Sequence, residues 1–349
     1  MPETLLEINN LKTHFYTRNG VIKAVDGVSL DIPKGKTLAI VGESGCGKST
    51  VALSIMRLIQ DPPGKITDGK ITFSETNLLD ITEGQMRRIR GGDISMVFQE
   101  PMTALNPVLS IGEQLTETVL QHHDVGKKEA RNRAIEALSK VGIPSPAITI
   151  SRYPHQMSGG MKQRVMIAMA LICNPSVLLA DEPTTALDVT VQDQILRLIR
   201  QLQEELHMAM LLITHNLGVV AEVADKVAVM YAGRIVEQAD VLELFSKTLH
   251  PYTQGLFKSM PALIPPTSPL SKEGRGRGGV EVAKKKRLEA IPGNVPYLLK
   301  LPKGCKFWPR CDKVMEICQK EEPALIRVRS SKFGVQSSVA CWLYKDSFN

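Results

Sequence analysis

Nine consecutive residues carry the clearest chemistry in the chain: Gly42, Glu43, Ser44, Gly45, Cys46, Gly47, Lys48 and Ser49, which fit the pattern G-x-x-x-x-G-K-S/T, and Thr50 directly after them. The apolar run Leu38–Val41 precedes them and the helical pattern VALSIMRLI follows. Glycines let a backbone wrap a polyanion, so that successive N–H groups and a helix N-terminus face it. Lys48 would reach the β- and γ-phosphates of a nucleoside triphosphate, and the Ser49 hydroxyl would ligate Mg²⁺. With strand, loop and helix in register, a Gly-rich turn with a chance lysine is a poor account. Cys46 reads most plainly as a small residue where Ser would serve. A thiol at a helix N-terminus nevertheless leans toward a lowered pKa, so a thiol alkylator is expected to inactivate the protein and MgATP to protect it.

A second group lies about 130 residues further on. VLLADEP places Asp181 and Glu182 at the carboxyl end of an apolar run, where α/β sheets hold their ligands. The first acid can hold Mg²⁺ through water, and the second can orient and deprotonate an attacking water. LLITHN repeats the layout, with His215 at the exit of a strand. A lone histidine is usually structural, but one at a strand end in a nucleotide-binding sheet can contact a γ-phosphate.

The elements that must position these residues follow from periodicity. Leu38–Val41, Val177–Ala180 and Leu211–Ile213 read as buried strands of a parallel sheet. Val191, Ile195, Leu198, Ile199, Leu202 and Leu206 recur at helical spacing. Between about Pro101 and Arg164 helical patterns replace strands, with a break near Pro144–Pro146, which reads as an inserted helical subdomain. The α/β core is expected to end near Lys247. Thr267–Lys286, rich in Gly, Ser and charge, reads as a flexible linker.

At 349 residues the length suggests about two domains. The 43% apolar content predicts a real core, and no run approaches the roughly 18 apolar residues of a membrane span. The N-terminus MPETLLEINN lacks the pattern of a secretory signal. Net charge is +7, yet Ser271–Asn349 alone carries 17 Lys/Arg against 8 Asp/Glu, which leaves the first 270 residues nearly neutral. A basic tail rather than a basic groove argues against a nucleic-acid binder. Cys46 and Cys173 are isolated, while Cys305, Cys311, Cys318 and Cys341 crowd the tail in a C-x5-C-x6-C-x22-C pattern. Such a group reads as a metal or cluster site before it reads as disulfides, although this spacing alone does not choose the metal.

MSGGMKQR at 157–164 narrows the class. Placed just before the acidic strand, it resembles the signature of ABC-type ATPases. Gln99 in ISMVFQEP matches their Q-loop, Ala186-Leu187-Asp188 their D-loop and His215 their switch histidine, all in family order over roughly residues 5–245. The resemblance implies an α/β P-loop NTPase of ABC type: a RecA-like parallel core with an antiparallel β part and an inserted helical subdomain. It also implies ATP and Mg²⁺ as cofactors, Ser49, Gln99 and Asp181 around the metal, and Glu182, His215 and Gln99 as catalytic residues. Ser158, Gly159 and Gly160 open a helix and make a second anion-binding N-terminus; by resemblance it serves the nucleotide held by a partner subunit, with Asp188 nearby. The family's adenine-stacking aromatic is matched by Phe15, with Tyr16 as the fallback. Met157 and Met161 depart from LSGGQ without removing the N–H donors.

EPMTALNP, SGGMKQRVMIAMAL, DEPTTALDVTVQ and HPYTQGL resemble, more narrowly, the ATP-binding subunits of bacterial oligopeptide/dipeptide importers. Nickel-importing relatives share much of this. The resemblance implies a D-type subunit paired with an F-type paralogue or a second copy. Its other partners would be two transmembrane permeases and an extracytoplasmic peptide-binding protein. It would be peripheral, on the cytoplasmic face of the inner membrane, with no nucleic acid expected. D-type members carry four cysteines in a tail like GCKFWPRC, which implies a 4Fe–4S cluster at Cys305, Cys311, Cys318 and Cys341. Zn²⁺ is the alternative, and buried metal-free thiols around Phe307, Trp308 and Trp342 the third. The expected organisation is an ATPase domain over 1–250 (helical subdomain about 101–164), an extension and linker over 251–287, and a cysteine module over 288–349.

Overall fold

A computed structural model of the chain describes residues 3–100, 104–184, 188–259, 291–329 and 336–345. The expected linker at 267–286, Pro101, and Ala186 and Leu187 of the D-loop match lie outside the described residues.

The N-terminal part runs β1 (Thr4–Thr17), β2 (Gly20–Pro33), β3 (Thr37–Val41), α1 (Lys48–Ile55), β4 (Gly64–Phe73), β5 (Thr76–Asn77), α2 (Glu83–Ile89) and β6 (Ile94–Val97). Helices α3 (Ile111–His122), α4 (Lys127–Lys140), α5 (Pro146–Thr149) and α6 (Gly159–Leu171) follow. The chain then alternates through β7 (Val177–Asp181), α7 (Val189–Leu206), β8 (Ala209–Ile213), α8 (Leu217–Val223), β9 (Lys226–Tyr231) and β10 (Arg234–Asp240). It continues through α9 (Val241–Ser246), α10 (Pro251–Lys258), α11 (Glu316–Lys320), β11 (Ile326–Arg329) and β12 (Gln336–Val339).

Two sheets organise these elements. The antiparallel one has the order β2-β1-β4-β5; the central one has the order β11-β12-β10-β9-β3-β8-β7-β6. Strands β6, β7, β8, β3 and β9 are parallel. Every residue of β3, β7 and β8 is buried, as expected for strands covered on both faces. The stripe anticipated from Val191 to Leu206 is helix α7, whose Ile195, Ile199 and Leu202 are buried. The break anticipated near Pro144–Pro146 falls where Ser145 adopts the left-handed region (φ 48°) between two prolines.

The cysteine-bearing tail was expected as an appended module, but its described residues do not stand apart. Strand β12 pairs with β10 (Glu237 opposite Val339, Gln238 opposite Ser338) and in turn carries β11. Phe307 packs edge-on against Tyr231 of β9, with ring centroids 5.3 Å apart, and against Tyr252 of α10 at 5.4 Å. Glu237, fully buried, accepts the backbone N–H groups of Leu249 (2.7 Å) and His250 (2.9 Å) and so fixes the entry to α10.

His250 caps that helix: its Nδ1 accepts the Tyr252 N–H at 3.0 Å. Burial drives its pKa from the ordinary 6.5 down to about 3, against a weaker opposing hydrogen bond to the Ala340 backbone. Between those two values the unfolded chain binds a proton that the folded chain refuses. Stability therefore falls as pH drops below 6.5, by up to roughly 1.4 kcal/mol per pH unit. Asn retains a capping acceptor but does not titrate. Urea midpoints of His250→Asn should accordingly fall less steeply from pH 6.5 to 5 than those of the unaltered protein; equal slopes would remove His250 as the source.

Candidate active site

The loop after β3 is shaped by close approach. A Cβ on Gly47 would collide with the Ala24 carbonyl and one on Gly42 with the Met230 carbonyl, and Gly47 is left-handed (φ 106°), so neither position accepts a side chain. Helix α1 starts at Lys48, whose buried Nζ donates to the carbonyls of Gly42 (2.9 Å) and Glu43 (3.0 Å). Ser49 Oγ donates to Asp181 Oδ1 at 3.0 Å. Burial pushes the Asp181 carboxyl up, and the Ser49 bond works against that shift. Two hard oxygen donors in contact beside a buried ammonium fit a Mg²⁺–phosphate complex, whose charge would reverse the effect of burial.

Three residues separated widely in sequence meet at the exit of β7. Gln99 Nε2 donates to Glu182 Oε2 at 3.0 Å, and His215 Nδ1 lies 3.3 Å from Glu182 Oε1. Glu182 is held left-handed (φ 45°), a state costing about 1–3 kcal/mol for a residue with a side chain. The bond from its N–H to the Ile213 carbonyl (2.9 Å) helps impose that conformation. An open cleft of about 680 Å³ joins this cluster to Lys48, Ser49 and Thr50, with Phe15 on its wall. Tyr16 is not on that wall and is 51% exposed. Ligand clefts fall in this size range.

The remaining expected residues lie elsewhere. Ser158 caps α6 by accepting the Met161 N–H at 3.3 Å, and Asp188 caps α7 by accepting the Val191 N–H at 3.0 Å. Neither they nor Gly159 and Gly160 line the cleft. Ser158, Gly159 and Asp188 are exposed, so the start of α6 opens outward. Buried Gln163, a residue not singled out from the sequence, donates to the Pro183 carbonyl and ties α6 to the turn that carries Glu182.

The reactivity expected of Cys46 is corrected by its surroundings. The thiol is fully buried, and burial raises its pKa despite Lys48 Nζ at 3.9 Å. It packs where an alkylator has no access, as the small residue of the plainer reading. The loop is also anchored by contacts that local sequence did not signal: the Glu43 N–H donates to Tyr252 Oη (2.9 Å), and the Glu43 carboxylate takes two bonds from Arg310.

The tail cysteines are all free thiols. Burial raises Cys305 and Cys341 to about 11, and Cys311 upward, and the charges of the neighbouring thiols push in the same direction. The four are thus gathered around one region. Among the described residues, however, no three Cys, His, Asp or Glu stand where they could hold a metal ion. The 4Fe–4S expectation, and its Zn²⁺ alternative, find no support in this geometry; Cys305 and Cys311 pack against an apolar cluster that includes Phe307.

Comparison with known proteins agrees with this architecture. The family described as ABC transporter matches residues 25–185, and the one described as oligopeptide/dipeptide transporter, C-terminal region, matches 236–278 and 280–318. The chain is 50% identical over 343 residues to the oligopeptide transport ATP-binding protein AppD of Bacillus subtilis, covering 98% of each. It is 48% identical to the dipeptide transport ATP-binding protein DppD of the same organism, covering 98% of this chain and 95% of that protein. Among solved structures it is similar to the ATP-binding cassette MJ0796 in a dimeric post-hydrolysis state bound to ADP and Pi. That match has a TM-score of 0.61 and 28% identity, over 68% of this chain and 98% of the other. With the phosphate loop, acidic strand end and signature helix in one sheet framework, the chain belongs to the ABC transporter ATPases, in the branch that carries the oligopeptide/dipeptide transporter C-terminal region.

Proposed function

We propose that this ABC ATPase energises import of di- and oligopeptides, working from the cytoplasmic face of a bacterial inner membrane. The substrate class follows from full-length relatives whose names specify oligopeptide and dipeptide transport. The observation that carries the catalytic assignment is the meeting of Gln99, Glu182 and His215 at the mouth of the Lys48 cleft.

In this reading Lys48 exchanges the loop carbonyls for the β- and γ-phosphates of ATP, and Phe15 stacks on adenine. Bound Mg²⁺ would neutralise phosphate charge between Ser49 and Asp181, with Gln99 as a further ligand. Glu182 turns its carboxylate from Gln99 and His215 toward a water, orients it in line with the γ-phosphorus and takes its proton. His215 then faces the γ-phosphate. Ser158, Gly159 and Gly160, with Asp188, act across the interface on nucleotide held by a paralogous or identical partner, which accounts for their outward exposure.

The permease surface is assigned to exposed apolar residues Phe98, Val108, Ile148 and Tyr153. Backbone bonds from Ile111 to Arg152 (2.9 Å) and from Gly112 to Ile150 (2.7 Å) set the segments bearing the last three side by side. None of the described helices is long and apolar enough to cross a membrane, so attachment would run through such permeases, fed by an extracytoplasmic peptide-binding protein. For the tail, the sequence pattern C-x5-C-x6-C-x22-C, rather than the thiol geometry, supports a second element of the reading, binding of a thiophilic metal as iron–sulfur or zinc. Protein purified without oxygen should then contain iron with acid-labile sulfide, or zinc, at a stoichiometry lost in Cys305→Ser; metal-free protein would end this part of the proposal.

Glu182→Gln keeps the shape and removes the base. Steady-state phosphate release should drop on the order of 10²- to 10⁴-fold, while MgATP binding persists and the cassettes accumulate as a closed dimer in size-exclusion runs. Hydrolysis at the unaltered rate would refute the role given to Glu182.

A further inference from the structure

Glu43 is the one carboxylate within the phosphate loop, and it is held at three points. Its N–H donates to Tyr252 Oη (2.9 Å), its carbonyl accepts Lys48 Nζ (3.0 Å), and its carboxylate accepts Arg310 Nη1 (2.7 Å) and Nη2 (3.1 Å). Arg310 comes from the tail, in the short turn Trp308–Arg310 between Cys305 and Cys311. Its side chain is only 5% exposed. The Pro292 carbonyl accepts its Nε at 2.9 Å, and its guanidinium carbon lies 5.9 Å from the Tyr231 ring centroid and 6.0 Å from that of Phe307. The fork is therefore aimed from several sides before it meets Glu43, a two-pronged fit that lysine cannot reproduce. The same tail reaches the cleft independently, because Leu298 lines it together with Phe15.

Two physical consequences follow for a polyphosphate. A bare carboxylate in the loop would repel it, and Arg310 cancels that charge. The loop must also keep its N–H groups turned inward when Lys48 lets go of the Gly42 and Glu43 carbonyls. Once those bonds are released, Glu43 is still held by Tyr252 and Arg310 from outside the loop, and within it by the Cys46 N–H, 3.4 Å from the Glu43 carbonyl.

We propose that Arg310 is a positioning residue of the nucleotide site: by clamping Glu43 it keeps the phosphate loop in its binding shape, so that the tail is a working part of the ATPase. The proposal rests on the cleft being the ATP site, which MgATP binding by the unaltered full-length chain checks separately. The test is a double-mutant cycle on Arg310→Ala and Glu43→Gln, reading MgATP affinity by calorimetry and turnover by phosphate release. Arg310→Ala should raise the Kd and KM for ATP roughly five- to tenfold, with kcat at saturating ATP within about twofold, and Arg310→Lys should recover only part of the loss. The double variant should lose less affinity than the product of the single losses. Unchanged affinity in folded Arg310→Ala, or losses that simply multiply, would overturn the proposal. Should Arg310→Ala fail to fold, the cycle of Arg310→Lys with Glu43→Gln reads the same coupling, and multiplying effects there overturn it equally.

Discussion

Ile40 and Asp181 both stand opposite Ile213 in the central sheet, so three parallel strands end at one level. From that level depart the phosphate loop after Val41, the acids after Ala180 and the histidine after Ile213. Everything chemical in the molecule depends on this register. A slip of one residue in any of the three strands would send its side chains to the opposite face of the sheet. The Ser49–Asp181 bond and the Glu182 cluster would then be lost together. The register is secured by complete burial of β3, β7 and β8, where a slipped alignment would also misplace core side chains.

The site therefore combines a rigid floor with adjustable groups. Gly42 and Gly47 fit against carbonyls that leave no room for a side chain. Glu182, in contrast, is held in a left-handed conformation by a backbone bond to β8, with its carboxylate against Gln99 and His215. A carboxylate kept in a costly conformation with the help of neighbouring side chains is sensitive to what those neighbours bind. Gln163 extends that sensitivity to the signature helix through the Pro183 carbonyl.

Much of this was legible in the sequence because the signals are local. Strand, loop and helix are contiguous around Lys48; the α7 stripe repeats within 18 residues; and Pro144 and Pro146 mark the helix break directly. What was not legible depends on partners distant along the chain. The short polar strand QSSV has no pattern that points to β10, about a hundred residues earlier. Arg310 and Glu43 are 267 residues apart, and nothing near either one foretells the other. Cys46 sits at a helix start, which argues for reactivity, but the packing around Met230 and Lys48 that removes it from solvent is tertiary. The signature residues were found by resemblance, and a single chain leaves them facing outward.

The place of β12 beside β10 has a bearing on solubility. Without it, β10 would be the rim of a long, mostly apolar sheet, with unpaired amide and carbonyl groups offered to any extended strand that drifted near. The tail moves that rim outward to β11, whose four described residues include the exposed Arg327. Short length and an exposed charge make this new border a poor template for stacking between molecules. A quiet flank of this kind keeps the central sheet from pairing edge to edge with another chain.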